Sequence, residues 1–177
     1  IAIEQKSTSH NPRSTVGTIT EIYDYLRLLY ARVGTPYCPE HDLPMVAQTV
    51  SEMVDAVKQL DEGTALMLLA PVVRERKGEY THLFEQLQSQ GFVRARVDGE
   101  TAMLDDPPEL DKKKAHNIDV VVDRLVLPCD RTRLTDSVEL ALKTGHGVMY
   151  VEVLGGEEFT FSELNACIEC GISFDEL

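Results

Sequence analysis

The sequence predicts an α+β fold: an inserted mixed α/β domain standing on a small helical base whose two ends are tied together. Three observations lead to it. The predicted elements in the middle of the chain run α-β-α-β-β-β-α-β-β, which is not the alternation of a repeating βαβ wind. One amphipathic helix precedes that unit. Two ligand-rich pairs, Cys38-Pro39-Glu40-His41 and Cys167-Ile168-Glu169-Cys170, bracket it near the two ends of the chain.

Ser7 to Arg13 is polar with a proline, and reads as a loop ahead of a helix capped by Ser14 or Thr18. Ile19, Ile22, Tyr23, Leu26, Leu29, Tyr30 and Val33 recur at spacings of three and four, so the helix spans Ile19 to Val33. Gly34, Pro36 and Pro39 end it and deliver the chain to Cys38. Thr49 or Ser51 caps a second helix through about Leu60. Ala65 to Val73 is a continuous apolar run too short for most helices, hence a strand buried on both faces. Tyr80 to Gln90 is helical and closed by Gly91. Phe92–Val97 and Glu100–Leu104 flank Asp98-Gly99, a type I′ hairpin signal. Ile118 to Leu127 is a β-branched strand, and Thr132 or Thr135 opens a helix to Lys143. Val148 to Leu154 and Phe159 to Leu164 are the closing strands, turned by Gly155-Gly156. The chain so divides into a base segment over 1–47, an inserted domain over 48–154 and a return segment over 155–177.

Zinc accepts thiolates and imidazoles, and a two-residue spacer lets both members of a pair reach one ion. Cys38, His41, Cys167 and Cys170 therefore form a candidate structural zinc site closing a zinc-tethered base. Two other readings of these residues stand beside it. Cys167 and Cys170 could share an ion with a pair beyond Leu177, leaving Cys38 and His41 as loop residues, or cysteines could form a disulfide. The second fits poorly with so few cysteines and no secretory signal, which point to a reducing, cytosolic compartment.

The chain has 177 residues and a net charge of −13, with the acidic excess concentrated after Ile118. That balance opposes an autonomous grip on DNA phosphates. No apolar run approaches a membrane span, so no membrane partner is expected. No G-x-x-x-x-G-K-[ST] loop is present, and Leu154-Gly155-Gly156-Glu157 reads as a hairpin turn rather than a nucleotide signature. Histidines 10, 82, 116 and 146 read as surface or cap residues, and Cys129 as a lone, semi-buried thiol. No nucleophile and base pattern marks this segment as an enzyme by itself. Arg94 and Arg96 alternate on a strand and so share one sheet face, either paired with carboxylates inside the fold or offered to a protein partner. Arg74, Arg76, Lys77 and Lys112 to Lys114 are basic loop residues, solvated or touching a phosphate backbone.

Several stretches resemble the UvrA family, the damage-sensing ATPase subunits of bacterial nucleotide excision repair. They are Ile3 to Leu29 (IEQKSTSHNPRSTVGTITEIYDYLRLL), Leu68 to Gly78 (LLAPVVRERKG), Gln90 to Glu100 (QGFVRARVDGE), Val120 to Arg124 (VVVDR) and the closing Cys167-x-x-Cys170-Gly171. The resemblance covers nearly the whole chain. It implies an internal piece of the N-terminal half of such a protein: the start of its first signature region, the inserted domain that docks UvrB, and the return. It further implies that Gln5 is the Q-loop glutamine, sensing magnesium and the ATP γ-phosphate only when the rest of the protein is present. Arg94, Arg124 and Glu139 match charged positions of the UvrB-contacting surface, and Cys38, His41, Cys167 and Cys170 match a structural zinc module. The full-length protein is expected to be a cytoplasmic homodimeric ATPase that meets DNA mainly through its other parts. The chain departs from the family pattern at Ile168, where proline is usual, and between Leu127 and Arg133, which is about a residue short. Two functions follow as expectations: recruitment of UvrB to damaged DNA, or a DNA-contacting lobe using the basic loops.

Overall fold

The computed structural model describes residues 22–45 and 47–167, and the backbone of 173–174. Helix α1 spans Ile22–Val33, α2 Val50–Lys58, α3 Thr81–Ser89 and α4 Arg131–Thr144. The strands are β1 Ala65–Lys77, β2 Arg94–Val97, β3 Glu100–Met103, β4 Ala115–Val126, β5 Val148–Val153 and β6 Glu158–Ser162, with short β7 Asn165–Ala166 and β8 Ser173–Phe174. β1 to β6 form one antiparallel sheet in the order β3-β2-β4-β1-β5-β6, and β7 pairs with β8. This is the α+β architecture the element order implies.

Helices α2, α3 and α4 cover one face of the sheet. Period-2 alternation sends Leu66, Leu68, Leu125, Met149 and Val151 toward α2 and α4, where Met53, Val54, Leu134 and Val138 meet them. At the other end, Ala70, Ala95, Ile118 and Val120 pack under Phe84 and Leu87 of α3. Each fully buried leucine or methionine there contributes about 1.5–3 kcal/mol. The opposite face carries a smaller apolar strip of Met67, Leu69 and Val121 beside Tyr150. No helix among the described residues packs on that strip.

Local signals explain the ends of the elements. Thr49 caps α2 in a reciprocal box with Glu52, whose carboxylate accepts from the Thr49 N–H at 2.7 Å. Asp98 and Gly99 take φ values of 50° and 91°, as a type I′ turn requires at both central positions. The turn Leu154-Gly155-Gly156-Glu157 joins β5 to β6, as expected. Three expectations need correction. Strand β1 continues past Val73 to Lys77, because Pro71 sits opposite Asp119 at a register shift where the ladder needs no donor from it. Strand β4 begins at Ala115 rather than Ile118. Helix α4 starts from Asp130, whose carboxylate accepts from the Arg133 N–H at 3.1 Å, and not from Thr132 or Thr135. The apolar residues of α1 are exposed, among them Tyr25 at 71 % and Val33 at 76 %. No helix among the described residues is long and apolar enough to cross a membrane.

Candidate metal centre and docking face

The chain leaves α1 through Gly34 and makes a tight turn. Tyr37 bridges Pro44, the Cys38 N–H donates to the Leu43 carbonyl at 2.9 Å, and the Asp42 N–H returns to the Cys38 carbonyl at 2.9 Å. This closes the knuckle that Pro39 favours and holds His41 beside Cys38. Cys167 arrives from the other end of the sequence just after β7. Cys38 and Cys167 are both 2 % exposed, and Met45 packs with them.

The Cys38 Sγ and Cys167 Sγ atoms lie 3.6 and 3.7 Å from His41 Nδ1, and the three donor atoms all fall within 4.8 Å of one another. Bonds of about 2.3 Å to sulfur and 2.05 Å to nitrogen, meeting at a tetrahedral angle, put sulfur and nitrogen about 3.6 Å apart. The donor set and its edges thus fit a tetrahedral ion. Burial by itself would raise the Cys38 thiol, but hydrogen bonds from the Glu40 and His41 backbone and from the His41 and Cys167 side chains outweigh it. They bring the thiol down to about 6, so it is held near the thiolate that a metal needs. Cys38, His41 and Cys167 are brought together as the sequence led one to expect. Cys170, named as the fourth ligand, and Gln5, named for the nucleotide, lie outside the described residues.

The sheet face away from the helices holds the charged residues. Arg94 and Arg96 share it, as alternation requires, but their environments differ. The Arg96 Nε and Nη2 atoms donate to Asp119 Oδ2 at 3.0 and 2.8 Å, and Nη1 donates to Glu152 at 2.8 Å and also to Glu158. One guanidinium thus ties four strands, β2, β4, β5 and β6. Burial opposes its charge, yet the carboxylates of Glu158 and Asp119 overcome that and hold it more firmly protonated than an ordinary arginine.

Arg94 and Arg124 make no side-chain hydrogen bond or ion pair with a described residue. A bulge in β4 turns Asp123 toward α4, where it accepts from Arg133 and Ser137, and so leaves Arg124 on the face opposite the helices. The two arginines border one cleft of about 230 Å³ whose lining includes Val93, Val121 and also Phe92 and Val122, which pack against the core under α3. Exposed Met103, Val126 and Leu154 belong to the same face by register. Glu139 stands elsewhere: it is exposed on α4, the helix that covers the other side of the sheet. A partner touching all three residues has to wrap from one side of the sheet to the other.

Residues that sequence reasoning did not single out complete this face. Tyr150 and Glu152 were readable from the alternation of Val148 to Val153, but their meeting with Arg96 and Arg74 depends on sheet order. His116 is a correction. It is 5 % exposed rather than a surface or cap residue, with Nδ1 2.6 Å from Asp98 Oδ2 and Nε2 3.0 Å from the Asp111 carbonyl. Two acceptors facing both ring nitrogens favour the imidazolium and raise its pKa.

The family model described as the UvrA interaction domain matches residues 48–155. The whole chain is 61 % identical to part of UvrABC system protein A from Pseudomonas putida and 61 % identical to that from Pseudomonas aeruginosa. It is 60 % identical to part of UvrABC system protein A from Neisseria meningitidis. In each case all of this chain is covered, against 19 % of the relative, so the chain spans about a fifth of the length of those proteins. With its central 48–155 matched by that family model, the chain belongs to the UvrA interaction domain family.

Proposed function

We propose that this chain is the partner-docking portion of a UvrA-type damage-recognition protein and that it recruits UvrB to damaged DNA. The observation that carries this reading is the pair of guanidinium groups, Arg94 and Arg124, which have no side-chain partner among the described residues and border one cleft. Planar guanidinium forks match carboxylates on a partner, and the apolar residues between and around them supply contact area. Glu139 joins the surface if UvrB reaches round to α4. The docking unit is residues 48–154; the segments 1–47 and 155–177 form the base.

Cys38, His41, Cys167 and Cys170 would hold a structural zinc ion that fixes the two ends of the insert to each other. Such an ion supplies folding free energy rather than reaction chemistry. In the full-length protein, Gln5 would belong to the ATP and magnesium site of a cytoplasmic homodimer in the excinuclease system, and DNA would be met mainly through its other parts.

A DNA-contacting lobe receives less support. Arg74 is turned onto Tyr150, Lys112 lies 3.8 Å from Glu79, and the net charge is −13. Titration calorimetry against UvrB separates the two. Arg124→Glu and Arg94→Glu should each weaken UvrB binding by more than about tenfold, the scale of a charge-paired interface arginine. Unchanged affinity of folded variants, with duplex binding that falls steeply with salt, would favour the lobe instead.

A further inference from the structure

The Arg94 and Arg124 cleft is one end of a longer groove. The pairing of β2 with β4 runs from Val97–Ile118 to Ala95–Val120 and goes no further, so residues 91–94 and 121–124 stand apart and the cleft opens between them. Gly91, Phe92 and Val122 of its lining also line a recess of about 660 Å³ between α3 and α4. Two strand irregularities shape that recess. Val122 is the extra residue of β4 between the pairs Leu69–Val121 and Leu68–Asp123, and Val72 is that of β1 between Pro71–Asp119 and Val73–Ile118. Such bulges bend a strand and re-aim its side chains. Both valines pack toward the core under α3, yet they are only partly buried although β4 and β1 are the two middle strands of the sheet.

Leu83, Leu87 and Phe92 border the recess on the α3 side and Leu140 on the α4 side. Leu140 is 45 % exposed, so α4 leaves an apolar side chain at the gap instead of closing it. The charge of the lining is one-sided. Among the described residues no carboxylate borders the recess, in a chain with 30 acidic residues, while Lys143 and His146 do so at the end of α4. Lys143, like Arg94 and Arg124, makes no ion pair with a described residue. At the cleft end the one bordering carboxylate, Asp123, is already taken by Arg133 and Ser137. The groove thus runs from two arginines over an apolar floor to a lysine. An uncharged ligand would cover the floor and leave the cations unanswered. A polypeptide segment with acidic ends and an apolar middle matches all three parts.

We propose that one continuous segment of the docking partner lies along this groove: a carboxylate between Arg94 and Arg124, a large apolar side chain over Val122, Val72 and Leu140, and a second carboxylate at Lys143. This rests on the docking reading given above and adds the chemistry and the course of the partner. It also supplies the way by which a partner held at the two arginines comes round to α4, the helix that carries Glu139. The outer side of α3, where the Glu85 side chain is 68 % exposed, lies off this course.

Titration calorimetry with UvrB tests this, on the parent chain and on variants whose folding is checked by thermal melting. Leu140→Asp should weaken binding about tenfold and Lys143→Glu about threefold, while Glu85→Gln should leave it unchanged. Should Leu140→Asp disturb α4, Leu140→Gln keeps a good helix former, carries no charge and should still weaken binding. Folded Leu140 and Lys143 variants that bind UvrB like the parent, with Arg94→Glu and Arg124→Glu weakened, would overturn the groove and leave the arginine reading standing. Loss at Leu140 with the arginine variants unaffected would break the continuity and overturn it too. No binding by the parent chain would remove both readings. Self-association of the chain that Leu140→Gln abolishes would assign the groove to a second copy and overturn the proposal as well.

Discussion

Arg96 and Asp119 face each other across β2 and β4, with both Nε and Nη2 of the arginine on a single carboxylate oxygen, Oδ2. Two residues earlier on the same strand face, Arg94 has no such partner among the described residues. One arginine therefore ties the sheet together, and the other is the one proposed above to meet a partner. Arg96→Leu strands three carboxylates, one of them 9 % exposed, and should cost about 2–4 kcal/mol, reduced from the deep-burial range because Glu152 and Glu158 reach solvent. Arg94→Ala should stay within about 0.5 kcal/mol of the parent. Urea denaturation of both variants measures the contrast.

Stability should pass through a maximum in mildly acidic solution because of His116 and Asp98. The His116 pKa is raised from 6.5, by Asp98 first and by the Asp111 carbonyl second. Its contribution is full below 6.5 and is lost as pH rises through the higher folded value. The Asp98 pKa is lowered from 3.8: burial opposes the shift, and the bonds from His116 and the Asn117 N–H outweigh it. That contribution is present above 3.8 and lost as pH falls through the lower folded value. Melting temperatures of the parent and His116→Gln across this range should differ most between the two ordinary values and converge on the alkaline side.

The helix-covered core and the capping box set a scale for structural substitutions. Leu68 is 0 % exposed between the sheet and α4, so Leu68→Ala should cost about 2–5 kcal/mol. Thr49→Ala removes the acceptor for the Glu52 N–H and the hydroxyl that donates to its carboxylate at 2.8 Å, and should cost about 1 kcal/mol. Chemical denaturation reads both.

Metal removal should act on the base and spare the sheet. Cys38, Met45 and Cys167 form their own cluster, which shares no residue with the core under α2 and α4. Elemental analysis should find about one zinc per chain, lost in Cys38→Ser and Cys167→Ser. Chelation should change the amide shifts of residues 36–45 and leave those of β1 and β4 in place. Loss of the whole sheet on chelation would contradict this separation.

Much of this was legible in the sequence because it is local. The periodicity of α1, the Thr49 cap, the Asp98-Gly99 turn and the two-sided burial of Ala65 to Val73 all depend on neighbours a few residues away. What escaped depends on long-range meetings. Arg96 finds its carboxylates 23, 56 and 62 residues later, across a sheet order that no local pattern dictates. His116 is buried because Asp98, 18 residues earlier, supplies the charge that makes burial tolerable. Asp130 displaced the threonines as the α4 cap because its carboxylate bonds the Arg133 N–H as the chain leaves Pro128. Ligand spacing anticipated the meeting of Cys38, His41 and Cys167, since two short pairs at a root are chemically recognisable wherever the chain between them goes.

The face away from the helices is the proposed docking surface. Amide hydrogen exchange of the chain with and without UvrB tests it most directly. Protection is expected on β2, β4 and β5 around Arg94, Arg124 and Leu154, with the exposed sides of α2 and α3 unchanged. Protection confined to the helical side, or none at saturating UvrB, would contradict the account.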